Sequence, residues 1–77
     1  MSDTITTEEI AQNYSAAGDS VTLINQLVAI ETLTDEQKDT VNRNGQQLEI
    51  MVAKDYWTSE DLAPFNSAIT AGKAKIA

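Results

Sequence analysis

A chain of 77 residues and 8.4 kDa has room for one small hydrophobic core and no second domain. Five Lys and Arg stand against twelve Asp and Glu, and the resulting net charge of -7 is the wrong sign for neutralising phosphates, which disfavours a nucleic-acid binder. Cys and His are both absent, which removes disulfides, a thiolate nucleophile, a zinc finger, an imidazole base and a haem-ligating histidine.

In chain order, Thr6 and Glu9 have the spacing of a capping box, so a first helix is expected from about Thr7, with residues 1–5 flexible ahead of it. Ile10 and Tyr14 share one face of that helix, and Gly18, followed by Asp19 and Ser20, reads as a stop and a fresh N-cap. From Val21 a second helix is expected, carrying Leu23, Ile24, Leu27, Val28, Ile30 and Leu33 on a wide apolar stripe; the lack of alternation argues against a buried strand. Thr34 and Gln37 repeat the capping-box spacing, with Asp35 and Glu36 in the first turn, and open a long third helix. Along it Val41, Leu48, Val52 and Tyr56 form an apolar face, with Met51 beside them, and Asp39 can meet Arg43 one turn later.

Asn44–Gly45 is a turn signal inside that third helix. We read one continuous helix, in which Gly45 lies on the apolar face and would admit a close neighbour; the alternative is two shorter helices. Trp57 ends the segment, and Thr58 to Asp61 resembles another acidic helix start, with Pro64 expected within about the first turn. Leu62, Phe65 and Ile69 then define a last helix from Ser59 to about Ala71, with Gly72 as its exit and residues 73–77 frayed. The expected fold is all-α, a single compact bundle of three or four short helices over residues 1–77, the third longest. Its expected core is Leu23, Leu27, Ile30, Val41, Leu48, Val52, Tyr56, Leu62, Phe65 and Ile69.

All of the net charge falls in residues 1–37, which contain seven Asp and Glu and no Lys or Arg, whereas residues 38–77 balance five against five. Helix starts that favour carboxylates explain this in part. A sharper reading makes Glu8, Glu9, Asp35 and Glu36 an acidic face for a basic partner. The carboxylate pairs Glu8–Glu9, Asp35–Glu36 with Asp39, and Glu60–Asp61 each open an expected helix, and none fits a calcium-loop pattern, so no metal or other cofactor is expected. Ser20 and Ser59 have capping roles, no Gly-rich phosphate loop is present, and the Asn13–Ser15 sequon stands without a secretory signal. These residues do not suggest an enzyme. No apolar run reaches the length of a membrane span, and a cytoplasmic location is expected.

What remains points to protein contacts. A helix apolar on most of its sides needs cover, and a partner subunit can supply it, so a homo-oligomer is expected, a dimer before larger forms. The interface candidates are Leu23, Leu27, Ile30 and Trp57. For Trp57, the competing role is closing the corner between the last two helices with Phe65. The leading expectation is a non-enzymatic, self-associating interaction or structural module. The alternative is an acidic inhibitor that binds a basic site on a host protein.

The stretch from Thr34 to Ile69, above all L-E-I-M-V-A-K-D-Y-W at Leu48 to Trp57 and the following S-E-D-L-A-P-F, resembles small uncharacterised proteins of tailed marine phages, including cyanophages. The resemblance spans about half of the chain and carries no functional residues. It implies a phage-borne accessory or virion-associated protein made inside a host cell.

Overall fold

Helix starts in this chain are set by threonines. The structure, a computed structural model, describes residues 6–77; the expected flexibility of residues 1–5 lies outside them. Thr6, Thr34 and Thr58 all adopt extended backbone. Each hydroxyl accepts a 3.1 Å hydrogen bond from the backbone N–H three residues on, at Glu9, Gln37 and Asp61. Each of those side chains in turn accepts from the threonine's own N–H. These reciprocal bonds satisfy amides that a helix start leaves without partners. They open α1 (Thr7–Val28, 22 residues), α2 (Asp35–Val52, 18 residues) and α3 (Ser59–Ile76, 18 residues).

The first two expected helices are one. Gly18 is not a stop: α1 runs through it, and Asp19 and Ser20 are helical interior. The reason is packing, because Ala17 and Ile24, on either side of the glycine, are both buried on one stripe that only a continuous helix aligns. Gly45 likewise lies inside an unbroken α2, although no neighbour approaches within 4 Å of where its Cβ would be.

Helix ends also depart from expectation. α2 stops at Val52, short of Tyr56, where the Lys54 backbone N–H (3.1 Å) and the Trp57 indole N–H (2.7 Å) both donate to the Met51 carbonyl. Gly72 is not an exit: α3 continues to Ile76, and the glycine is buried, a Cβ there lying 3.1 Å from Val41 Cγ1 and 3.4 Å from Ile24 Cγ2. Pro64 sits beyond the first turn of α3, on its exposed side.

Short connections at residues 29–34 and 53–58 turn the chain back twice. Ala17 lies beside Leu48 and Met51, while Ile24 and Val41 meet at Gly72, so α1 and α2 run antiparallel. Tyr14 packs on Phe65, so α1 and α3 run side by side in the same direction. The bundle measures 46 × 22 × 18 Å. Its central cluster is Ala17, Ile24, Leu48, Phe65 and Ala68, flanked by Val21, Val28, Met51, Val52, Trp57, Leu62 and Ile69. Leu33 and Val41 are buried as well. Four expected core residues, Tyr56 among them, are not in it: Leu23 and Leu27 are half-buried outside the central cluster, and Ile30 is 37% exposed. Tyr56 is half-buried in the α2–α3 connection.

Candidate functional site

Leu23 and Leu27 stand one turn apart on α1, and Ile30 follows just beyond the C-cap Ala29. The central cluster takes Ala17, Val21, Ile24 and Val28 from this helix, a three-four rhythm on one side of it. Leu23 and Leu27, half-buried, belong to a second stripe, rotated away from the first, so the apolar belt of α1 is wider than the central cluster uses. Ile30, in the bend after the C-cap, is 37% exposed. Trp57, the fourth interface candidate, is elsewhere, at the α2–α3 corner beside Tyr14.

That corner gathers all four aromatic rings of the chain. Trp57 stands edge-on to Phe65 (5.3 Å, 82°), with Tyr56 at 4.7 Å and Tyr14 at 6.1 Å; Tyr14 is 5.7 Å from Phe65. The Asn13 amide donates to the Tyr56 hydroxyl at 2.9 Å, tying α1 to the connection. Trp57 therefore closes the corner, its N–H satisfied inside the fold. Tyr14 was not a candidate from sequence, although its place four residues after Ile10 and three before Ala17 puts it on the core stripe. Tyr14 is 45% exposed. On its outer side lies an open groove of about 290 Å³ between the starts of α1 and α3, lined by Thr7, Ile10, Ala11, Tyr14, Trp57 and Asp61.

The acidic candidates are all exposed, and the fold divides them. Glu8 and Glu9 are in the first turn of α1, at the end shared with Glu60 and Asp61 of α3. Asp35 and Glu36 open α2 at the opposite end, where the Lys75 ammonium donates to the Glu31 carbonyl at 3.2 Å. The four expected to form one face are thus two pairs, set apart along the long axis of the bundle. Glu9 is also engaged by the Thr6 cap. Two exposed ion pairs complete the charge map: Asp39–Arg43 at 2.8 Å, at the expected spacing, and Glu49–Lys73 at 2.7 Å.

Among the described residues no three carboxylates come together as metal ligands, and no buried side-chain polar atom lacks a hydrogen-bond partner. No described helix is long and apolar enough to cross a membrane. Compared with protein-family models, curated proteins and solved structures, the chain matches none.

Proposed function

We propose that this protein is a non-enzymatic interaction or structural module that self-associates, as a dimer, through the strip of Leu23, Leu27 and Ile30. The observation that supports it is the apolar width of α1 beyond the central cluster: two leucines half-buried outside that cluster, with an isoleucine 37% exposed just past the helix end. A domain of this size rarely derives more than about 3–5 kcal/mol from its own core, and cover from a second copy adds to that. The setting we propose is the cytoplasm of a phage-infected cell, in an accessory or virion-associated role.

The test is absolute molar mass by light scattering after gel filtration, over about a tenfold range of concentration. We expect a mass approaching twice 8.4 kDa at the upper end. The double variant Leu23→Ser/Leu27→Ser should remain a single chain with unchanged helix content. A single-chain mass throughout overturns the proposal.

The alternative, an acidic inhibitor of a basic site on a host protein, draws support from the grouping of Glu8 and Glu9 with Glu60 and Asp61 at one end. It predicts salt-sensitive binding to a basic target. Unchanged affinity after charge reversal at Glu8, Glu9 and Glu60 would sink it.

A further inference from the structure

The groove beside Tyr14 and Trp57 brings exposed aromatic surface, apolar walls and a carboxylate together. Its volume, about 290 Å³, is below the roughly 300–1,000 Å³ of pockets that enclose small molecules, and it is open to solvent. Such a trough holds the side chains of a passing segment.

Ile10, Ala11, Tyr14 and Trp57 give it apolar walls, and Asp61 contributes a carboxylate. Glu8, Glu9 and Glu60 stand on the first turns of the same two helices. α1 contains no Lys or Arg at all, and those of α3 are confined to its last turn. Lys54, in the connection, has Asp55 beside it. The two helix starts contribute about +0.5 each, which leaves the four carboxylates in clear excess. Tyr14 and Trp57 also line it, and aromatic rings attract a cation within about 6 Å of their faces.

We propose that this groove docks a basic amphipathic helix of a partner protein. An apolar side chain seats on Ile10, Tyr14 and Trp57, and a Lys or Arg one turn away faces Asp61 and Glu60. Charge complementarity selects this occupant over a second copy. Two copies meeting here would oppose their acidic ends. The chain's cations in α3 are at the other end, Lys73 on Glu49 and Lys75 on the Glu31 carbonyl. A head-to-tail contact through them would not close. The site is separate from the Leu23–Ile30 strip and does not depend on self-association.

The probe is a synthetic amphipathic helix of leucine and lysine without tryptophan, titrated into isotope-labelled protein. Emission of the sole tryptophan, Trp57, and backbone amide shifts are the readouts. The expected result is saturable one-to-one binding that shifts Trp57 emission, moves the amides of Ala11, Tyr14 and Asp61, and weakens between about 0.05 M and about 0.2 M salt. A leucine–glutamate peptide should not bind. Ala11→Arg, at an exposed helical position, should weaken binding by about tenfold or more. Glu60→Lys, which leaves the groove walls intact, should weaken it several-fold. Absence of saturation, equal binding of the glutamate peptide, amide shifts confined to another surface, or unchanged affinity in both variants overturns the proposal. So does a fall in the protein's own oligomeric mass caused by Ala11→Arg, which would identify a second copy as the occupant.

Discussion

Gly18, Gly45 and Gly72 all have ordinary helical backbone with no positive φ, so none is required for a left-handed turn. What separates them is the space where a Cβ would go. At Gly18 and Gly45 that space is open, and replacing glycine with alanine should gain most of the helix-propensity difference. Gly18→Ala and Gly45→Ala are each expected to stabilise the protein by about 0.5–1 kcal/mol in urea unfolding, additively in the double variant. Gly72 is wedged against Val41 and Ile24, and Gly72→Leu should cost about 1–3 kcal/mol through overpacking. A loss in the first two variants would mean that the chain needs to bend there. From sequence, Gly18 resembles a terminator because Asp19 and Ser20 suit a new cap. Only the burial of Ala17 and Ile24 decides otherwise, and that depends on α2 and α3. Gly72 is misread for the same reason: its two crowding methyl groups come from residues far away in the chain.

Helix starts were legible because a capping box is complete within four residues, whereas helix ends were not. α2 ends where a tryptophan five residues beyond Val52 supplies a donor to the Met51 carbonyl, and where Asn13 of α1 binds the Tyr56 hydroxyl. Neither partner can be foreseen from local spacing. The caps lead to a direct test. Thr34→Ala removes the hydroxyl that accepts from the Gln37 N–H and should cost about 1 kcal/mol, while Thr34→Asp should cost far less. Equal losses would show that the cap bond contributes little. Pro64 tests the opposite sign. Beyond the first turn of α3 it has no N–H to give the Glu60 carbonyl, and its side is exposed. Pro64→Ala restores that donor and should stabilise the protein by about 1 kcal/mol or more, read as a higher urea midpoint. A lower midpoint would mean that proline's restriction of the unfolded chain outweighs the missing bond.

At the scale of the molecule, folding rearranges a charge pattern that looks simple along the chain. The sequence places its whole excess of carboxylates in residues 1–37, but antiparallel packing sends Glu8 and Glu9 to one end and Asp35 and Glu36 to the other. The lysines of α3 do not neutralise the acidic end either, because Lys73 and Lys75 lie at the far end of that helix. The all-helical architecture could be read from apolar spacing, whereas the aromatic corner could not, since Tyr14 joins Trp57 and Phe65 only once α1 and α3 lie side by side.

The net charge of -7 bears on stability as well as on partners. The ion pairs Asp39–Arg43 and Glu49–Lys73 are solvent-exposed, so screening them removes little, on the order of 0–1 kcal/mol in all. Screening the mutual repulsion of seven uncompensated charges acts in the other direction over the whole surface. The melting temperature should therefore rise by roughly 2–5 °C between about 0.01 M and about 0.15 M sodium chloride. Chloride is the anion to use, because sulfate strengthens burial by its exclusion from the surface and would confound the reading. Salt also eases the approach of two acidic chains, so a rise could come from dimerisation alone. Repeating the melt with Leu23→Ser/Leu27→Ser separates the two effects: a rise that persists there belongs to the single chain's own charge, and one that vanishes belongs to the strip on α1. A fall in both proteins would mean that local attractions at the helix starts and in the two ion pairs outweigh the long-range repulsion.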